Sequence, residues 1–157
     1  SPLASVFDDV IIGKQAILPE VDDIVYEDRL GTTGWIYRKK ILVGTRDLLI
    51  HHGIPVLKED FEKKYTRKGR KVLYLAEAGK LMAMFVVSYS ADPQLKKALR
   101  KLEKSGMTIL VRSADPFIND ESIAELFELP DGYIRVMNSS NGRAFEKYSN
   151  LFAQKLV

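Results

Sequence analysis

Two apolar runs separated by Glu77-Ala78-Gly79 constrain this chain more than any other feature of its sequence. Lys71-Val72-Leu73-Tyr74-Leu75-Ala76 and Lys80-Leu81-Met82-Ala83-Met84-Phe85-Val86-Val87 flank that short loop, and a glycine-containing loop between such runs signals a β-hairpin. Most of its residues must be buried on at least one face. After Ser90 the apolar period changes from that of a strand to that of a helix. Asp92 suits an N-cap and Pro93 the first helical position, where a missing N–H costs nothing. Leu95, Ala98, Leu99 and Leu102 fall at i, i+3, i+4 and i+7 as one apolar stripe, with lysines and Arg100 opposite. Gly106 ends that helix. Met107-Thr108-Ile109-Leu110-Val111 reads as a buried strand and Ser113-Ala114-Asp115-Pro116 as a turn. A second helix is predicted from Asp120 to Leu129 and a second strand from Tyr133 to Met137. Helix, strand, helix, strand at this spacing predicts βαβ connectivity and a parallel sheet.

Upstream of the hairpin the chain reads as strands and loops. Val21 to Tyr26 is a short strand, and Arg29-Leu30-Gly31-Thr32-Thr33-Gly34 a turn with two glycines. Trp35-Ile36-Tyr37, then Arg38-Lys39-Lys40, then Ile41-Leu42-Val43-Gly44 read as another hairpin. Asp47 to His52 is a short helix closed by Gly53 and Pro55, and Asp60 to Lys64 a second one. In the tail, Arg143 to Leu156, the residues Phe145, Tyr148, Phe152 and Leu156 stand at helical spacing and are expected to dock on the body. There is no internal repeat. The change from antiparallel to parallel character falls near Ser88 to Ala91, which predicts two lobes, residues 1–88 and 89–157.

Composition narrows the classes. At 157 residues two small lobes are the limit, and 46% hydrophobic content excludes intrinsic disorder. A chain without cysteine has no disulfide framework, no thiolate metal site and no cysteine nucleophile. The longest apolar run, Leu81 to Val87, falls far short of the roughly 20 residues a bilayer requires. The chain opens on Ser1, with no signal peptide, and is expected to be a fragment or a processed product. A net charge of +3 is too mild to argue for a polyanion. Basic residues cluster at Lys63, Lys64, Arg67, Lys68, Arg70 and Lys71, and again at Lys96, Lys97, Arg100, Lys101 and Lys104. Both clusters read as solvated faces. No aromatic residue interleaves with the second to stack bases, so nucleic acid is not an expected partner.

Several short motifs fall in a telling order. Gly79-Lys80, Pro93, Gly106 and Ser113-Ala114-Asp115 follow the spacing of a hairpin around a "dGk" turn, a helix led by Pro, a Gly, and a strand ending in TGD. Ile41-Leu42-Val43-Gly44-Thr45-Arg46 looks like "VLVGNR". Glu27 followed by Gly31 looks like the acidic residue ahead of a "GxG" loop, and Ser1-Pro2-Leu3-Ala4 like "HPLA" with its histidine lost. Together they resemble the P-type cation ATPases, most closely the heavy-metal branch, over nearly the whole chain. The resemblance implies an α/β protein. Residues 1–88 would form an antiparallel sheet with flanking helices, as in that family's nucleotide-binding domain. A partial Rossmann-like, haloacid dehalogenase-like unit would follow, with a hinge at Tyr89. It further implies nucleotide contact by Glu27, Gly31, Thr33 and Gly34, with Ser113 and Asp115 near phosphate. ATP and the rest of a parent membrane protein are the implied partners, with Mg²⁺ in the intact parent. The segment would lie at the cytoplasmic face without itself touching the membrane. In an intact relative the first lobe delivers ATP to an aspartate of the second, and domain closure drives ion transport.

The departures are chemical. Ser1 stands at the histidine position and Thr33 at that of the second glycine, where a Cβ blocks close approach and makes positive φ costly. Thr45 replaces Asn, Ala114 replaces the glycine of TGD, and Tyr89 stands where the family has an Asp at its hinge. The family's reaction needs an aspartate nucleophile in "DKTG" and Mg²⁺-holding carboxylates in "GDGxND", and neither occurs here. A carboxylate nucleophile depends on that metal to neutralise the transferring phosphate, so this polypeptide alone is not expected to form an aspartyl phosphate.

Each candidate also has a plainer reading. Glu27 serves equally as a solvated strand-end carboxylate, and Gly31 and Gly34 as turn residues. Asp115 is either phosphate-proximal at the carboxyl end of a parallel strand or a loop cap before Pro116. Ser113 is a common strand-end hydroxyl. His51 and His52 point about 100° apart on a helix, so they do not chelate one metal, and a helix-end role is expected. Trp35 reads as hairpin packing, and Asp8-Asp9 and Asp22-Asp23 as surface pairs. No P-loop and no Ser–His–Asp context occurs. Two function classes follow: the ATP-binding cytosolic part of an ion pump, or a degenerate, catalytically silent homologue working as a regulatory or interaction module without nucleotide. A free-standing haloacid dehalogenase-type hydrolase lacks its nucleophile.

Overall fold

The computed structural model describes residues 18–137. Ser1-Pro2-Leu3-Ala4, Asp8-Asp9 and the tail from Arg143 to Leu156 lie outside them. The chain divides into two compact units: one runs up to Tyr89 and takes in Asp115–Phe117, and the other comprises Ser90–Ala114 and the chain from Ile118 onward.

Five strands build the first unit: β1 (Asp22–Glu27), β2 (Gly31–Ile36), β3 (Lys39–Gly44), β4 (Lys71–Glu77) and β5 (Lys80–Val87). They pair in sequence order, each antiparallel to the next. Between β3 and β4 come helix α1 (Arg46–His51), helix α2 (Glu59–Lys63) and a 3₁₀ turn at Arg67–Gly69. The expected hairpin is β4–β5, with Glu77 paired to Lys80 so that only Ala78-Gly79 turns, at φ 48 and 79. The β2–β3 hairpin turns just as tightly. Ile36 pairs with Lys39, leaving Tyr37 and Arg38 at φ 48 and 65. Two-residue loops with positive φ suit the right-handed twist of the strands, but each non-glycine residue held there costs about 1 kcal/mol.

One expectation is corrected. The turn does not extend from Arg29 to Gly34. It closes at Leu30, whose N–H donates to the Glu27 carbonyl at 3.0 Å, and Gly31 to Gly34 belong to β2. With strands to either side of it, every residue from Gly31 to Gly34 finds a partner on β3, and β-branched Thr32 and Thr33 fit a pleated strand.

Opposed residues share a face, so Leu42 of β3 and Val72, Tyr74 and Ala76 of β4 lie together. They form the core with Leu48 and Leu49 of α1 and with Ile54. Each leucine fully removed from water stabilises by roughly 1.5–3 kcal/mol. Helix α2 buries no residue and is held by polar bonds instead. Arg46 donates to the Glu62 carboxylate at 2.8 Å and to the Leu57 carbonyl, and the buried Tyr74 hydroxyl donates to the same carboxylate at 2.7 Å.

In the second unit, helix α3 (Pro93–Lys104) precedes strand β6 (Ile109–Arg112), helix α4 (Asp120–Phe127) and strand β7 (Ile134–Met137). As the βαβ pattern predicts, β6 and β7 are parallel, from Ile109 opposite Ile134 to Arg112 opposite Met137. Asp92 caps α3 by accepting from the Leu95 N–H at 2.9 Å. Asn119 and Ser122 cap α4 reciprocally. Ile123, Phe127, Leu129 and Ile134 form the core, with Leu99, Ile109 and Val111 against it. The expectation of a buried strand from Met107 is corrected. Pairing starts at Ile109, and Leu110 stays 49% exposed because it points away from the face on which α4 packs. The α3 stripe is likewise only partly used, Leu95 and Leu102 remaining exposed. On its polar side Lys96 and Arg100 grip Glu128, at 2.6 and 2.5 Å. The class is α/β, with a five-stranded antiparallel sheet and helices. Among the described residues no helix is long and apolar enough to cross a membrane.

Two tests follow from this architecture. Replacing Tyr37 and Arg38 by Asn-Gly relieves the strained turn, and urea denaturation is expected to show a gain of about 1 kcal/mol. Burial, then the bond to Glu62, pushes Tyr74 up to about 12. A raised pKa means the folded state holds its proton more tightly, so the contribution is complete below pH ~10 and is lost as pH rises toward 12. Thermal melts from pH 9 to 11.5 are expected to fall more steeply for the wild type than for Tyr74→Phe.

Candidate functional site

Strand register sorts the residues singled out in the sequence. Glu27 lies opposite Gly31 and Gly31 opposite Gly44; Val25 lies opposite Thr33 and Thr33 opposite Leu42. Trp35 lies opposite Lys40. Glu27, Gly31 and Thr33 therefore share the face on which α1 packs. Gly34, one residue on, points to the other face.

The glycines are filled from within. A Cβ on Gly31 (φ +149) would stand 2.3 Å from the Val43 carbonyl oxygen and 3.0 Å from Cδ2 of Leu48. On Gly44 it would stand 2.3 Å from the Leu30 oxygen and 2.5 Å from that same Leu48 methyl. The two glycines form a seat for Leu48, which is completely buried. Gly34 makes room for Val21, whose Cγ1 lies 2.7 Å from the absent Cβ. Thr33 is buried within β2 and adopts no positive φ, so its side chain suits the backbone it occupies.

Glu27 is the polar centre of this face. Its Oε1 lies 2.6 Å from Nε2 of His52, the C-cap of α1, and Nδ1 of His52 lies 3.3 Å from the Lys40 ammonium. Thr45 starts α1 by capping the Leu48 N–H, and its own N–H donates to the Leu30 carbonyl at 2.8 Å. These bonds and the Leu48 seat bring the end of α1 over Glu27. His52 does sit at a helix end, as its sequence position suggests; its reach to Glu27, 25 residues away, leaves no mark in the sequence. Lys40 is hidden similarly within a basic run. Val25 and Trp35, both more than 40% exposed, lie on this same face.

Ser113 follows β6 in the second unit, whereas Asp115 clusters with the first. Asp115 is 5% exposed. Its Oδ1 accepts the Phe117 N–H at 2.9 Å, and its Oδ2 accepts the Tyr89 hydroxyl at 2.7 Å. Burial, then that bond, pushes the Tyr89 phenol well above its ordinary value. The loop-capping role thus exists in fact. Both oxygens of Asp115 are thus engaged, and among the described residues no group of three His, Cys, Asp or Glu side chains is placed to hold a metal.

Comparison with family models gives no match, and no curated protein is significantly similar to the chain.

Tyr89→Phe removes a donor from a buried carboxylate. Urea unfolding is expected to show a loss of about 1.5–3 kcal/mol; a change under 0.5 kcal/mol would mean water replaces the phenol without penalty.

Proposed function

We propose that this chain is the nucleotide-binding part, with a portion of the phosphorylation part, of a P-type ATPase-like membrane protein, and that ATP docks on the sheet face where Glu27 ends β1. What carries the reading is the state of Glu27: His52 anchors one carboxylate oxygen, and the other has no partner among the described residues. A fixed acceptor of this kind suits the exocyclic amino group of adenine, with the exposed Val25 two residues back on the same face for a flat base and the exposed Trp35 further along it. Gly31, Thr33 and Gly34 contribute backbone shape, since the space above each is already taken. The β6–α4–β7 unit supports the Rossmann-like, haloacid dehalogenase-like assignment. Ser113 and Asp115 follow the carboxyl end of β6, where parallel sheets place ligands. The aspartate nucleophile, the Mg²⁺ carboxylates and the ion path belong to the parent, at whose cytoplasmic face this part would work.

A specific observation also favours the silent module. Leu48 and Val21 occupy the space the glycines leave, and Tyr89 and Phe117 occupy Asp115. A titration decides between them. With millimolar ATP, amide signals from Glu27 to Trp35 are expected to shift saturably; if none moves, the module acts without nucleotide.

A further inference from the structure

We infer that Lys40 and His52 are positioning residues that hold the Glu27 carboxylate, an acceptor-only group, in one orientation and so let the site select a base bearing an amino group. The inference rests on the nucleotide-binding reading and adds to it how the base is chosen. An ammonium group only donates, so with Lys40 3.3 Å from Nδ1 that nitrogen must accept. The ring is then neutral, its single proton on Nε2, which donates to Oε1 of Glu27 across 2.6 Å. A second proton on His52 would point an N–H at the Lys40 ammonium. The direction of the whole relay is therefore set at Lys40 and ends at the carboxylate. The remaining Glu27 oxygen offers only lone pairs. It attracts the amino group of adenine and repels the carbonyl that hypoxanthine carries at the same position.

Both residues are placed by elements already described. Lys40 stands on β3 opposite Trp35, on the α1 face. His52 is held by its own N–H, which donates to the Leu48 carbonyl at 3.1 Å. Since Leu48 is wedged between Gly31 and Gly44, the ring has little room to move along the sheet.

The test uses the 157-residue chain. Long-range ¹H–¹⁵N spectra of the free protein report the His52 tautomer, and amide titrations give ATP and ITP affinities. The expected results are an Nε2–H tautomer and ATP bound at least about tenfold more tightly than ITP, a gap of about 1.4 kcal/mol. His52→Phe is expected to weaken ATP about tenfold and bring the two affinities within about twofold, about half a kcal/mol or less. His52→Gln, whose amide still donates to Glu27, restores the preference. Lys40→Met, at a half-buried position, erodes the preference and mixes the tautomers, and it serves if His52→Phe fails to fold. An Nδ1–H tautomer, or an unchanged ATP-to-ITP ratio in both His52→Phe and Lys40→Met, overturns the relay while leaving ATP binding in place. A wild type that binds neither nucleotide overturns both.

Discussion

The contact between His52 and Glu27 depends on how deeply Leu48 sinks between Gly31 and Gly44. No other residue type leaves that space, because a methyl group on either glycine would collide with backbone oxygen as well as with Leu48. The depth of the leucine sets the height of α1 above the sheet, and the height of α1 decides whether His52 reaches Glu27. A packing contact between an aliphatic side chain and two bare backbones thus governs a polar contact near the far end of the helix. Shape complementarity in a close-packed interior transmits position in this way because it has little slack.

Polar groups in this protein are used economically. Among the described residues no buried side-chain nitrogen or oxygen lacks a partner, as native interiors require. Three carboxylates illustrate different uses of the same group. Glu62 fastens a helix with no buried residues by accepting from Arg46 and Tyr74. Asp115 accepts at both oxygens and serves its own loop. Glu27 is anchored through Oε1 by His52, and its other oxygen has no partner among the described residues.

Much of the architecture is legible in the sequence because its signals are local. The β4–β5 hairpin, the Asp92-Pro93 start of α3 and the parallel pairing of β6 with β7 each rest on residues a few positions apart. Where the reading slips, tertiary pairing overrides local chemistry. Gly31 and Gly34 look like turn residues until two neighbouring strands claim them, and Met107 joins no strand although it is as apolar as its successors. The candidate site was legible only in halves. Glu27 and Asp115 are visible as lone carboxylates in suggestive places, but their partners His52 and Tyr89 stand 25 and 26 residues off. No spacing rule links residues that a strand register and a helix seat bring together.

The excursion of Asp115–Phe117 into the first unit has a practical consequence for anyone dissecting the gene. The two units are interleaved along the chain, so neither can be cut out as one continuous stretch. An excised piece stopping at Tyr89 would keep the phenol and discard its acceptor, and the complementary piece would carry a buried carboxylate away from its donor. Fusions and truncations of this protein are therefore better placed outside residues 18–137 than at the apparent domain border or just after Phe117, where the second unit would be split.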